Sequence, residues 1–307
     1  MNGNLVGIFG STASVKTSFL SSIAKKNETE GIIVYQRNEA GKTFSFLDDS
    51  TFPEKIQGYA RIASISDYAY YVFPSDAKLA PPDGELAILL DSLDLKGAIE
   101  VINGPTVVSD SIKLSFKGMN LTSYEIEERG SKSSLIDLSR IQPRLNYPKD
   151  HTLIYIDRSF NVKGVGVVAL GFVLTGKVSV HDKLRLLPVE SDNYKLAEVK
   201  GIQISDEDFD STERGIRVGL SLKGIDLKDI SKTSWMDDGL LKVSNSVEFD
   251  FKPSRYYKQA TIDRDLHLEA NGELLVARIV QGKSSGMRMA KLAYPIPQWD
   301  GMSLCVI

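Results

Sequence analysis

A chain of 307 residues with 42% hydrophobic and 25% charged content is long enough for two or three cores. Its net charge of −3 excludes a uniformly basic nucleic-acid binder but not a local basic patch. A single cysteine, Cys305, excludes an internal disulfide and a cysteine-built metal site. The N-terminus lacks the basic segment and long apolar run of a signal peptide, and no stretch reaches bilayer-spanning length, so a cytoplasmic chain without membrane contact is expected.

Leu5–Phe9 reads as a short apolar strand, followed by Gly10-Ser11-Thr12-Ala13-Ser14-Val15-Lys16-Thr17 and an amphipathic helix, Ser18–Lys26. Strand, loop, Lys-Thr and helix is the layout of a phosphate-binding P-loop. There, backbone N–H groups and a helix N-terminus cradle phosphate, while Lys and Thr complete the charge and magnesium contacts. Gly10, Lys16 and Thr17 are therefore the nucleotide-binding candidates. Val15, however, stands where the second glycine belongs, and a β-branched side chain crowds a backbone that must curl around phosphate. A strand–turn–helix retained without nucleotide is the favoured reading.

The pattern goes on as strands near 31–36, 42–47, 68–73, 98–102 and 121–126, with helices near 53–64, 84–92, 106–117 and 131–139. That alternation predicts a doubly wound α/β domain over 1–145. Pro81-Pro82-Asp83-Gly84 reads as a turn before a helix, and Arg140–Asp150, with two prolines, as a linker.

From Ile154 the period changes to two. Ile154 and Ile156 point one way, Tyr155 and Asp157 the other, and Val165, Val167 and Ala169 resume the alternation. Gly164, Gly166, Gly171 and Gly176 supply bulges and turns. Ala197–Ile204 and Val218–Ile225, on either side of the acidic loop Asp206–Asp210, extend the pattern to a small antiparallel barrel. Lys242–Phe251, Tyr256–Ile262, Leu266–Leu268, Leu274–Val280 and Met287–Tyr294 read as strands of a second, shorter barrel or sandwich, with turns at Gly272, Gly282 and Gly286. The histidines at 151, 181 and 267 fit no common zinc spacing, and His181 reads as a solvated turn residue.

The run IDRSFNVKGVGVVALGFVLTGKVSVHDKLRLLP (156–188), followed by VGLSLKGIDLKDI (218–230), closely resembles the second domain of translational GTPases. Within that superfamily it is most similar to the selenocysteine-specific elongation factor (SelB) branch, and to archaeal SelB-like proteins. The resemblance implies a GTPase-like domain over 1–145, a domain-2-like barrel over 151–240 and a short domain-3-like barrel over 241–307.

It also sets out what a working nucleotide site requires. The family's P-loop aspartate falls at Ala13, its effector threonine at Ile33, and its Asp-x-x-Gly at Asp48-Asp49-Ser50-Thr51. Its guanine-reading motif falls at Asn103-Gly104-Pro105-Thr106. Losses at all of these places imply a pseudo-GTPase, with GTP and magnesium as cofactors only if the P-loop still works. Asp157, Arg158 and Arg217 (or Arg214) match an aminoacyl pocket whose histidine falls at Ala169; a rim ion pair is the alternative reading of the same residues. Arg255, Lys258, Arg278, Lys283 and Arg288 match a surface that grips tRNA phosphates, or else are a solvated face. The implied partners are tRNA, aminoacyl-tRNA, or a ribosomal or other translation protein. A divergent active GTPase using Lys16 and Thr17, and a protein-interaction scaffold, are the alternatives.

Overall fold

A computed structural model describes the chain except residues 1, 29–30, 50, 75–78, 103–106, 130–135, 145, 149, 188–193, 231–232, 259–260, 285 and 307. The chain divides into two compact units, Gly3–Leu145 and, with the extreme N-terminus, Asn146–Ile307.

In the first unit the strands are β1 (Gly3–Phe9), β2 (Lys25–Glu28), β3 (Ile33–Glu39), β4 (Lys42–Asp48), β5 (Tyr68–Pro74), β6 (Gly97–Ile102) and β7 (Glu125–Arg129). The helices are α1 (Ala13–Ile23), α2 (Gln57–Ile65), α3 (Pro81–Ser92) and α4 (Val107–Ser115). They form one sheet of order β2-β3-β4-β1-β5-β6-β7. It is parallel from β4 to β7, while β3 and β2 are added antiparallel. β1 is buried along its whole length, as a central parallel strand must be. Val6, Ile8, Phe44, Phe46, Tyr70 and Val72 pack against Phe19, Leu20 and Ile23 of α1.

Four expectations shift. Pro81–Gly84, read as a turn, is the first turn of α3, where a proline's missing N–H costs nothing. Lys25 and Lys26, read as the end of the first helix, open β2. The strand read at 121–126 is displaced to β7, and Asn120–Ser123 is a 3-10 turn. The reason is Asn120: its Nδ2 donates to the carbonyls of Leu90 and Leu95, and its N–H donates to Asp91, so this backbone is fixed to the end of α3. Of the helix read at 131–139, residues 131–135 lie outside the described residues, and Leu138–Arg140 is a 3-10 turn.

The proline-containing segment after it does more than link. Arg144 donates through its guanidinium to the carbonyls of Ala63 and Ser64 at the end of α2 and of Leu93 at the end of α3. Its backbone N–H donates to Asp67. One cation thus satisfies carbonyls left over at two helix C-termini, where the macrodipole also favours positive charge. Arg144→Ala is expected to destabilise this unit by about 2–3 kcal/mol, from the lost charge-assisted bonds. Denaturant unfolding of the full chain checks this, and Arg144→Lys should restore little, because an ammonium lacks the planar fork.

The second unit begins with β8 (Leu153–Val162), β9 (Gly166–Thr175), β10 (Lys177–Ser179), β11 (Lys183–Leu187), β12 (Leu196–Ile204), β13 (Glu207–Phe209), β14 (Ser211–Glu213), β15 (Arg217–Lys223), a short helix α5 (Leu227–Ile230) and β16 (Trp235–Asp237). The order β11-β16-β8-β9-β15-β12-β13, with β11 also paired to β12, closes a barrel. Ile154, Ile156, Val167, Ala169, Val173, Val218, Leu220 and Leu222 fill it. Val165 is 42% exposed at the β8–β9 turn, so the two-residue period restarts at Val167. Arg185 and Asp237 are directly opposite on β11 and β16, and the arginine donates from Nε and Nη2, one edge of its guanidinium, to the two carboxylate oxygens at 2.9 and 2.6 Å. Burial pushes the Asp237 carboxyl above the ordinary carboxylate range, and Arg185 opposes that shift.

The remaining strands are β17 (Lys242–Asp250), β18 (Arg264–Ala270), β19 (Glu273–Gln281), β20 (Met287–Gln298) and β21 (Cys305–Val306), in the order β17-β20-β19-β18-β21. Where a second barrel is expected, this antiparallel sheet leaves β17 and β21 as edges among the described residues. Pairing of β17 with β20 slips between Ser244 and Ser246, a bulge tied by the Ser244 hydroxyl, which donates to the Ser246 carbonyl and accepts from its N–H. Gln298 Nε2 donates to the carbonyls of Ser244 and Ser246.

The strand read at Tyr256–Ile262 is not formed. Tyr257 N–H donates to the Ser254 carbonyl and Tyr256 N–H to its hydroxyl, so turn chemistry after Pro253 overrides the β-prone tyrosines. Residues 259–260 of that stretch lie outside the described residues.

The β18–β19 hairpin sits on the outside of the barrel. Trp235 Nε1 donates to the Asn271 carbonyl at 2.9 Å. At Gly272, with φ +97°, a Cβ would lie 2.6 Å from the Tyr155 ring, so only glycine permits this approach.

Candidate functional site

The strand–loop–helix at the N-terminus is present, but its polar groups are occupied. Gly10 follows β1 at φ +146°, with space for a Cβ blocked by the Val72 carbonyl at 2.4 Å. α1 already begins at Ala13, ahead of Lys16, and the Lys16 N–H donates to Thr12 O at 3.2 Å within the helix. That N–H is one a phosphate cradle would use.

The Lys16 side chain is 3% exposed. Its Nζ bonds Asp48 Oδ1 at 2.7 Å and also contacts the Tyr59 hydroxyl, which itself donates to Asp48 Oδ1 at 2.8 Å. The ammonium lies 4.6 Å from the Tyr59 ring centroid. Burial raises the Asp48 carboxyl above its ordinary value; the charge and hydrogen bond of Lys16 pull it down. Thr17 is exposed.

The neighbouring motif positions are similarly engaged. Asp49 Oδ1 accepts from the Thr51 N–H at 2.6 Å, so a carboxylate holds the group that a glycine N–H would offer to a γ-phosphate in the resembling family. The Asp49 carboxylate rests against Gly58, where a Cβ would lie 1.6 Å from Oδ2. Ile33 is in the β3 ladder opposite Asp48, so the place of the effector threonine is held in a strand. Asn103, Gly104, Pro105 and Thr106 lie outside the described residues.

On the outer face of the barrel, the strand registers put Trp235, Tyr155, Phe172 and Arg217 in one transverse row across β16, β8, β9 and β15. All four are buried. Pairing slips between Ile156 and Arg158, which makes Asp157 the extra residue of a bulge and brings its carboxylate onto Arg217. The two side chains are 3% and 6% exposed, and the guanidinium lies 4.6 Å from the Phe172 ring centroid.

Of the pocket candidates, then, Asp157 and Arg217 meet. Arg158 is half-buried over the Phe160 ring at 5.6 Å, and the backbone N–H of Arg214 donates to Gly176 O. Ala169 is inside the barrel core. His181 is a turn residue at φ +76° whose ring is 80% exposed, with Nδ1 3.4 Å from Glu198.

Four of the five phosphate-contact candidates belong to the end of the last sheet opposite the β18–β19 hairpin. Arg255 lies over Tyr256 and Arg288 over Phe251, while Lys258 and Lys283 are exposed. Arg278, on β19, is half-exposed beside Asp265 at 3.5 Å. Tyr59, Trp235 and Phe172 carry no local signal of their importance; only the topology brings them to these places.

A parallel sheet with a lysine at the P-loop position, followed by a closed antiparallel barrel, is the plan of a translation-factor GTPase. Residues 166–236 match the family model of elongation factor Tu domain 2. An uncharacterized protein of Methanocaldococcus jannaschii is 29% identical over all of this chain and 96% of its own length. The selenocysteine-specific elongation factor of that organism is 31% identical over 59% of this chain, which matches only 42% of that factor.

Among solved structures, translation elongation factor SelB from Methanococcus maripaludis, in complex with the GTP analogue GppNHp, superposes over the whole chain and 75% of its own. The TM-score is 0.79 and the identity 20%, a likeness of fold. The chain thus carries a region matching elongation factor Tu domain 2, is similar in sequence to the selenocysteine-specific elongation factor, and has the fold of SelB. Among the described residues, no helix is long and apolar enough to cross a membrane.

Proposed function

We propose that this protein is a cytoplasmic, elongation-factor-like pseudo-GTPase of three domains, 1–145, 151–240 and 241–307. It would bind tRNA, aminoacyl-tRNA or a protein of the translation machinery without a nucleotide cycle. The single observation that carries this reading is the burial of Lys16 on Asp48 and Tyr59. A magnesium–triphosphate group does not fit the residues present. The lysine is neutralised by a carboxylate, the Lys16 N–H is spent in the helix, and Asp49 caps the Thr51 N–H. Admitting a γ-phosphate would place its charge beside Asp48 and Asp49, and like charges in a buried site repel strongly.

Calorimetric titration of GTP, GDP and ATP with magnesium into the full chain tests this directly. No heat and no thermal shift are expected. Micromolar binding abolished by Lys16→Ala would replace the proposal with a divergent active GTPase. The RNA side of the reading rests on Arg255, Lys258, Lys283 and Arg288 at one end of the last sheet, and on the family's implied partners. Binding of tRNA at low salt, weakening as salt rises, is the expected behaviour of phosphate contacts.

A further inference from the structure

The end of the last sheet remote from the barrel carries aromatic rings that the fold itself does not bury. Tyr256 is 51% and Tyr257 37% exposed, and Phe249 and Phe251 are only half-buried. Core tyrosines elsewhere in the chain, such as Tyr59, Tyr71 and Tyr155, are at most 2% exposed, so these rings are not packing residues that happen to reach the surface. Cations outnumber acids around them, the acids being Glu248 and Asp250 at the end of β17. Residues 252–258, Lys-Pro-Ser-Arg-Tyr-Tyr-Lys, contain three cations and no acid.

Two of the rings already have a guanidinium on them: Arg255 is 5.2 Å from the Tyr256 centroid and Arg288 is 5.8 Å from that of Phe251. The loop is also held. Phe251 N–H donates to Gly286 O, which ties it to the turn bearing Lys283, and Ser254 pins the backbone of Tyr256 and Tyr257. Lys283 is held in turn by its N–H bond to Glu248. Exposed tyrosines on a pinned loop cost little entropy to use, since each has two side-chain torsions and the backbone is fixed.

We propose that this end of the sheet, formed by Phe251–Lys258 with Lys283 and Arg288, binds single-stranded nucleic acid by stacking unpaired bases on Tyr256 and Tyr257. Every base has a π face, so rings set among cations hold a strand without reading its sequence, and the cations track the phosphates. A duplex offers no such faces, because its bases are stacked on one another; to it, the same end presents only charge. This rests on the nucleic-acid part of the function proposed above and goes further by naming unpaired bases as the ligand and stacking as the contact.

The test is fluorescence anisotropy of the full chain at low salt. The probes are an oligouridylate of about twelve nucleotides, within the roughly 4–16 nucleotides that single-strand-binding folds cover, an abasic strand of that length, an RNA duplex and a polyglutamate peptide. The oligouridylate is expected to bind at least about tenfold more tightly than the abasic strand. Tyr256→Ala or Tyr257→Ala should weaken it roughly 5- to 150-fold, the range that stacking on one ring spans. Tyr→Phe at both positions should bind like the parent, because phenylalanine stacks equally well. Both residues are too exposed for these changes to disturb the core.

Equal affinity for the abasic strand, unchanged binding after both alanine substitutions, or polyglutamate binding as tightly as RNA would overturn the inference. If the duplex or tRNA binds while the oligouridylate does not, the stacking site is wrong and the tRNA reading stands. If no nucleic acid binds to the folded chain, both fail.

Discussion

Lys16→Ala is expected to unfold the first unit at a midpoint roughly 6–20 °C lower, corresponding to a loss of about 3–5 kcal/mol. The cost comes from what remains. Asp48, 8% exposed at its side chain, would keep a carboxylate with no counter-charge, and Tyr59 would lose the ammonium beneath its ring. The pH dependence has a definite sign. Asp48 already has a raised carboxyl pKa in the folded state, and removing the cation that lowers it raises it further. Between the ordinary carboxylate pKa and the folded value, the folded variant therefore holds a proton that the unfolded chain has released. Its stability is fullest below the ordinary carboxylate pKa and falls as pH rises towards the folded value, more steeply than in the parent.

Lys16→Met with Asp48→Leu and Tyr59→Phe should recover most of the loss, because apolar groups of similar volume then replace the whole buried network and leave no hydroxyl unpaired. Thermal melts of the three proteins between pH 4 and 8, stepped by about one unit, check this across the window of carboxyl titration. A lysine waiting for phosphate would behave otherwise, with alanine there removing nucleotide affinity and little stability.

Arg217→Ala is the second change with a large expected effect. Its guanidinium neutralises Asp157 at a bulge and covers Phe172 in the buried row that continues through Tyr155 to Trp235. Truncation leaves the Asp157 carboxylate buried and unpaired, at a cost of about 3–5 kcal/mol. It also opens a void beside the ring row on which the β18–β19 hairpin rests. Arg217→Lys should recover only part of this, since an ammonium neither stacks flat on Phe172 nor offers a planar fork. Denaturant unfolding measures the cost, and Trp235 fluorescence, read against Trp299, reports the loosened row. If instead Arg217→Ala leaves stability unchanged but reduces binding of aminoacyl-tRNA, the pair is a ligand pocket and not a strut.

Much of this architecture is legible along the chain because it is periodic. The apolar run Leu5–Phe9 declares a strand buried on both faces, and the alternation from Ile154 declares a barrel wall. The departures of Val15, Ile33 and Thr51 from the motifs of the resembling family are equally plain in the sequence. What replaces their chemistry is not. Asp48 and Tyr59 reach Lys16 from 32 and 43 residues away, a meeting that depends on how β4 and α2 pack against α1.

Asp157 and Arg217, 60 residues apart, meet through a one-residue slip in pairing that no two-residue pattern encodes. The misread strand at Tyr256–Ile262 has the opposite cause. There the local composition is β-prone, but a proline and a serine turn act over a shorter range and prevail.

The irregular start of β17 bears on how this protein behaves in a crowded solution. A nine-residue edge strand is ordinarily a template on which a second molecule can extend the sheet, the first step towards filaments. Here the slip between Ser244 and Ser246, fastened by Gln298 of the neighbouring β20, breaks the even spacing that a docking strand must match. An incoming chain finds only a short run in register on either side. The unclosed sheet is thus expected to stay monodisperse as protein concentration rises, because this edge offers a second strand little continuous register.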